Sequence, residues 1–339
     1  MKKLSRTGLL LGLIAAIMVF YGCGGGKSTD SASSEKVQVI ELSLAGPLPE
    51  TTPGGIGLNE LAKKINEYSK GSLKATAYHN GTLGNSTSMV EGVQQGTVDF
   101  AVTGDAYYSG LVPEIQVFEL PYLFKDRAEV EKVLTSEVAE ELLAKFEAKN
   151  MKGMAFWGIG FRNLTNSVRP VKSPADTQGL KLRTLPAPIQ VKLWSLLGAV
   201  STPIDSSEVY TSLQQGTVDG QENLLTDIYF NKYYEVQEYM TMTKHTFTPF
   251  MLSMSLQTWN KLNADQQEAV TKAVKDATAV VSKEAAVAEE KVLAELMDLM
   301  TVETNPDIAA FKEQSKDSYK VFTDKYGSEY VDKVLALLE

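Results

Sequence analysis

The chain has 339 residues, 43% hydrophobic and 22% charged, a composition that points to neither a disordered segment nor a polytopic membrane protein and leaves room for two domains of ordinary size. A formal net charge of -9 argues against nucleic acid as a partner, because phosphate binding needs a basic face. An anionic ligand would have to be held by a few locally placed cations. The five arginines, Arg6, Arg127, Arg162, Arg169 and Arg183, are therefore the groups to follow.

At the N-terminus, Lys2, Lys3 and Arg6 precede an uncharged apolar run from Gly8 to Gly22 that is short for a bilayer span. The run ends at the only cysteine, Cys23. A cysteine so placed, followed by GGGKSTDSASSE, resembles a bacterial lipoprotein signal. That resemblance implies a signal peptide over 1–22, lipidation of Cys23 and a flexible tether over 23–37, with the protein held on a membrane outside the cytoplasm. Phe20 and Tyr21 depart from the Leu and small residues usual in such signals. With no second cysteine there is no disulfide framework. GGGKST is not read as a phosphate loop, since Tyr21 stands where that motif needs its first glycine and no strand precedes it.

Beyond the tether, KVQVIELSLAG alternates like a strand and GGIGLNELAKKINEYSKG has helical spacing; SLKATAY is again strand-like, SMVEGVQQG a helix stopped at Gly96, and TVDFAVTG a strand. This β-α-β-α-β order predicts a mostly parallel sheet flanked by helices. RAEVEKVLTSEVAEELLAKFEAKN reads as one amphipathic helix, and MKGMAFWGIGF as a buried strand. From Arg162 the pattern restarts, with a loop to SPADTQG, a strand in GLKLRTLP, helices in VKLWSLLGA and EVYTSLQQG, and a strand start at TVDG. The hexamer QQGTVD thus occurs twice, at 94–99 and 214–219, in equivalent places of two similar halves, with Gly220 expected to break the second copy into QEN. The stretch from Ala264 to Met300 is made of strong helix formers and is long enough to cross both halves.

Enzyme signatures are scarce. Only His79 and His245 exist, no HExxH, GxSxG or Walker motif is present, and Asp219 with Glu222 in DGQEN reads as hinge or capping acids rather than a catalytic pair. No catalysis, metal or cofactor is expected. Arg162 in GFRNLTNS and Arg183 in GLKLRTLPAP fall near predicted strand ends, where ligands bind in open α/β sheets. Two guanidiniums there could clamp a carboxylate, or each could pair with an acid of the chain itself; composition alone leaves both open.

The runs GFRNLTNSVRPVKSPADTQGLKLR, LGA, SSEVYTSLQQGTVDGQEN, NKYYEVQEYMTMTKHTF and WNKLNADQQEAV resemble the solute-binding proteins of tripartite ATP-independent periplasmic (TRAP) transporters, from about Lys36 to the C-terminus. The resemblance implies an α/β fold of two periplasmic-binding-protein-like lobes, each a mixed sheet flanked by helices, with a long lobe-spanning helix. Lobe I would comprise 38–159 plus 249–288, and lobe II 160–248 plus 289–339. It implies that Arg183 makes the salt bridge to a ligand carboxylate, with Arg162 a second basic contact and Asn223 a hydrogen-bonding group beside them. His79, Asn80, Thr82 and Asn85 are candidate polar contacts from the first lobe, where Asn-Gly also favours a plain turn. Trp157, Phe161, Tyr107 and Tyr210 are candidate stacking faces or core residues. Ser206, where sialic-acid members carry an aromatic, and Gly104-Asp105, where they carry a Glu, argue against sialic acid. The expected ligand is a uronate, another sugar acid or a dicarboxylate, and the expected partners are the TRAP membrane subunits. A ligand-sensing module of a membrane receptor is the rival reading.

Overall fold

Among the described residues, nine strands form one sheet in the order β2-β1-β3-β8-β4-β7-β5-β6, with β9 (Thr301–Glu303) paired to β8. The computed structural model describes residues 39–339, so the expectations for the signal peptide, Cys23 and the tether lie outside the described residues. In the first lobe, β1 (Ile40–Ala45), β2 (Leu73–Tyr78) and β3 (Phe100–Gly104) run parallel, linked by α1 (Pro53–Tyr68) and α2 (Ser86–Gln95). The single helix expected over 127–150 is instead α3 (Arg127–Leu134) and α4 (Glu137–Ala144), followed by a 3-10 turn over Lys145–Lys149. Thr135 and Ser136 cause the break, since a β-branched residue and a short hydroxyl suit a helix end and a new start better than an interior.

Then β4 (Met151–Asn166) leaves the first lobe and enters the second, where β5 (Lys181–Thr184), β6 (Val200–Pro203) and β7 (Gly220–Leu224) alternate with α5 (Pro188–Leu196) and α6 (Val209–Gln214). After α7 (Leu225–Phe230), β8 (Tyr239–Ser255) carries the chain back antiparallel to β4, from Asn166↔Tyr239 to Met151↔Ser255. GFRNLTNS is therefore not a loop. Arg162 to Asn166 remain strand, paired with β7 on one side and β8 on the other. Gly220 likewise does not break its segment. It opens β7, where a side chain would stand 2.2 Å from the Thr165 carbonyl oxygen, so only glycine admits the pairing.

The short α8 (Leu256–Trp259) leads to α9 (Ala264–Leu299), whose 36 residues span about 54 Å. An Asn263–Gln266 capping box starts it. Val270, Ala273, Val274, Ala277 and Val281 face α1 at helical spacing and pack with Leu58, Leu61 and Ile65, while Val292 and Leu296 pack with α7 residues of the second lobe. The chain ends with α10 (Ile308–Ser315), α11 (Tyr319–Tyr326) and α12 (Glu329–Leu338). Although this tail was expected within lobe II, only α10 and α11 lie on α5; α12 returns to α3 and α4, where Tyr330, Val331 and Val334 complete the first-lobe core.

The twin hexamers are one device used twice. Gly96 (φ 77°) and Gly216 (φ 68°) take the left-handed conformation that ends a helix, and the Thr97 and Thr217 N–H groups bond back to Gly92 and Ser212 at 2.9 and 3.0 Å. Val98 and Val218 are buried. Each aspartate then latches a neighbouring strand: Asp99 Oδ2 accepts the Ser43 N–H of β1 at 2.8 Å, and Asp219 Oδ2 the Lys181 N–H of β5 at 2.9 Å.

Where α1 meets α9 the backbones approach so closely that a Cβ on Gly57 would lie 2.2 Å from Val281 Cγ2 and 3.1 Å from the Trp157 ring. Gly57→Ala is expected to cost about 1–3 kcal/mol of stability. Thermal denaturation should show a melting temperature lowered by several degrees, whereas Gly110→Ala, which meets nothing within 4 Å, leaves it unchanged.

Candidate functional site

The carboxyl ends of β1, β3, β5 and β7 converge where the two lobes meet. A cleft of about 300 Å³ lies there, walled by Pro47, Leu48 and the Asn80–Asn85 turn from the first lobe and by Ser206, Ser207, Tyr210, Asn223, Asp227, Asn231 and Tyr233 from the second. The lobes touch across it. The Ser206 N–H donates to Tyr107 Oη at 3.0 Å, Ser86 and Ser206 hydroxyls meet at 3.2 Å, and Thr87 donates to Asp205 Oδ2 at 3.4 Å.

Arg183, the last residue but one of β5, lies behind the lining of this cleft, buried to 1% exposure. Its Nε donates to the Ile204 carbonyl at 2.8 Å and its Nη2 lies 3.5 Å from Tyr107 Oη, so its bonds go to neutral oxygens. A buried guanidinium held this way retains a demand for an anion. Asp227, on the cleft wall, feels its charge: burial pushes that carboxyl up to about 6, against the pull of Arg162 and Arg183.

Arg162 is placed differently. It is buried and paired with the equally buried Glu222, donating from Nε and Nη2 to both carboxylate oxygens and from Nη2 to the Glu222 carbonyl. Glu222 also accepts from His245 Nε2 at 3.0 Å. Burial works to raise the Glu222 pKa, yet the Arg162 charge and the His245 hydrogen bond outweigh it and bring the carboxyl down to about 2. Burial lowers the pKa of His245, so the neutral ring donates from Nε2 to Glu222 while Nδ1 accepts from Thr243 at 2.8 Å. Arg162 thus makes the pairing with an acid of the chain that composition left open as one alternative. Glu222, read as a hinge or capping acid, is the partner.

A bulge builds this network. Between Arg162↔Thr246 and Leu164↔Thr241, β8 carries the four residues Met242–His245 opposite the single Asn163 of β4, with Lys244 at φ 42° and its N–H bonded to Asn163 Oδ1 at 3.2 Å. The detour turns the His245 ring inward, edge-on to Trp194 at 4.9 Å.

The other candidates divide. Asn223 and Tyr210 line the cleft; Asn223 Oδ1 accepts the Leu224 N–H at 3.0 Å, and the Tyr210 hydroxyl donates to Glu235 at 3.0 Å. Asn85 lines it too, but its Oδ1 caps α2 by accepting the Ser88 N–H at 2.9 Å. His79 stands outside the cleft wall with Nε2 2.8 Å from Asn59 of α1, while its neighbour Asn80 is on the wall. Trp157 is core: fully buried, it donates from Nε1 to Thr278 of α9 at 2.9 Å and packs against α1. Tyr107 serves as a bridge between lobes rather than a stacking face.

Sequence reasoning passed over Asp227, Tyr233 and Glu119, and noted Asp105 only as a departure from sialic-acid members. Asp105 directly follows β3, and Glu119 ends the 3-10 segment Pro113–Glu119. Both are fully buried. A buried position directly after a parallel strand was the available signal for Asp105. None marked Glu119, which sits in an apolar run.

The family model for bacterial extracellular solute-binding protein, family 7, matches residues 44–325. The chain is 34% identical over 236 residues to the 2,3-diketo-L-gulonate-binding periplasmic protein YiaO of Escherichia coli, covering 68% of this chain and 72% of that one. Among solved structures, the sugar acid binding protein DctPAm of Advenella mimigardefordensis in complex with galactonate superposes with a TM-score of 0.86 at 29% identity, covering 88% of this chain and 98% of that one. A TRAP periplasmic solute-binding protein of Sulfurospirillum deleyianum with bound succinate gives 0.85 at 29% identity, covering 88% and 99%. Among the described residues no helix is long and apolar enough to cross a membrane. The chain belongs to family 7 of the bacterial extracellular solute-binding proteins, the family of the TRAP periplasmic binding proteins.

Proposed function

We propose that the chain captures a small organic acid in the cleft between its lobes and delivers it to the membrane subunits of a TRAP transporter. Arg183 carries this reading. It is a buried cation at a strand end, beside the cleft, whose bonds go only to neutral oxygens. A ligand carboxylate would supply the missing anion through charge-assisted hydrogen bonds, each contributing about 1.5–3 kcal/mol. Asn223, Asn85 and Tyr210 stand around the same space. Arg162 acts in this scheme through its charge and through Glu222, without touching the acid. The ligands named for the similar proteins, galactonate and succinate, are both carboxylates. Lipidation at Cys23 would keep the protein beside its transporter.

Arg183→Ala is expected to weaken acid binding about 10- to 100-fold in calorimetric titration, while the melting temperature without ligand moves little. Unchanged affinity would remove Arg183 from the site.

Asp227 gives the site a pH dependence. Its carboxyl, pushed up to about 6, becomes anionic above that pH and opposes a second anion in the cleft. Affinity for a sugar acid should therefore fall by about tenfold or less between pH 5 and 7.5, and Asp227→Asn should flatten the curve. The raised pKa also means that Asp227 disfavours the folded state increasingly as pH rises from about 4 to 6; melting curves without ligand across that range check the sign.

A further inference from the structure

We propose that a second site, for an amphiphilic carboxylate such as a medium-chain fatty acid, lies beside the β8 bulge between Lys244 and Lys312. It goes beyond acid capture in the cleft and does not depend on it.

A cavity of about 680 Å³ opens there, within the size range of small-molecule sites, and it shares no lining residue with the cleft. Both lobes build it. Phe124 and Phe161, which pack in the first-lobe core, line it together with Met242 and Leu293, which pack with the second. Ile308 and Lys312 of α10 complete the lining, and Ile308 leaves 37% of its apolar surface open to water. The wall is fixed by its backbone. Tyr122 and Lys244 both take left-handed conformations, at φ 56° and 42°, and the Tyr122 N–H donates to the His245 carbonyl at 2.8 Å. Such conformations persist at non-glycine residues only where the surroundings hold them, so the apolar floor is preformed.

Charge selects the occupant. The chain carries 42 acidic residues and a net charge of -9, yet no Asp or Glu lines this cavity, whereas Lys125, Lys244 and Lys312 do. Lys125 is answered by Glu129 at 3.1 Å. Among the described residues no acid stands within ion-pair distance of Lys244 or Lys312. Their long stems can cover the edge of an apolar cavity while the ammonium groups meet an anion at its mouth. An adjoining hollow shares Phe161, Met242 and Leu293 but also carries Asp126 and Glu290. A carboxylate is repelled from that end and drawn to Lys244 and Lys312, which leaves the shared apolar stretch for a hydrocarbon tail. A short hydrophilic acid lacks the tail for this site, and a cationic amphiphile lacks the head.

The test is calorimetric titration of the full chain at pH 7.5 with octanoate, butanoate and octylammonium. Octanoate should bind about tenfold or more tightly than either of the others. The double variant Lys244→Asn/Lys312→Gln should weaken octanoate about tenfold, with native circular dichroism retained, since Asn tolerates the left-handed backbone at 244. Arg183→Ala should leave octanoate affinity unchanged. Loss of octanoate binding in Arg183→Ala puts the fatty acid in the cleft and overturns the second site while leaving acid capture intact. Octylammonium or butanoate binding as tightly as octanoate, an affinity unchanged in the double variant, or no octanoate binding at all each overturns the inference.

Discussion

The pairing of β4 with β8 is the interaction on which everything else depends. Two strands of 16 and 17 residues run antiparallel through both lobes, and each lobe's remaining strands are added to their two ends. Irregularities at Gly153/Ala155, Gly158/Gly160 and Arg162/Leu164 bend the pair instead of ending it. Arg127 ties one of these bends to its surroundings, donating to the Gly158 and Ile159 carbonyls at 2.9 Å while pairing with Glu289 of α9 at 2.7 Å. Two helices and a strand meet on one guanidinium there. The cleft between the lobes is then a product of geometry, since strands ending on both sides of such a bend must face one another.

Buried charge is concentrated just beside that bend. Arg162, Glu222 and His245 form a set in which cation meets anion through direct hydrogen bonds, whereas the guanidinium of Arg183 bonds to neutral oxygens and neither carboxylate oxygen of Asp105 has a hydrogen-bond partner. A fully paired buried ion set fixes geometry, and an incompletely paired one keeps unmet hydrogen-bonding capacity. The two sets are joined through Asp227, which both arginines influence. Two arginines only 21 residues apart in sequence, Arg162 on β4 and Arg183 on β5, thus differ in whether an acid of the chain answers them.

Much of the architecture was legible beforehand. The β-α-β-α-β opening, the repeated hexamer and the long helix each follow from short-range signals: alternation, a glycine at a helix end, and a run of helix formers. What escaped was long-range. Nothing local marks GFRNLTNS as strand, because its hydrogen-bond partners lie about 60 and 80 residues away on β7 and β8. The split of the helix over 127–150 rested on two residues, Thr135 and Ser136, whose weak signal was masked by strong flanking periodicity. For the site, Arg183 near the end of β5 could be read from a strand end and Asn223 on the cleft wall only from the family resemblance, while Trp157 was taken by the core and Glu119 was hidden in an apolar stretch.

The return of α12 to α3 and α4 has a mechanical meaning. The polypeptide passes between the lobes four times, by β4, by β8, by α9 and again through the C-terminal helices. A single linker would let the halves swivel, slide or drift apart. Four passages spread across the junction oppose twisting and sliding, because each such motion stretches at least one of them, and they leave bending at the bulged strands as the softest mode. The molecule is laced rather than hinged on a thread, so the two faces of its cleft can part and meet again in one register.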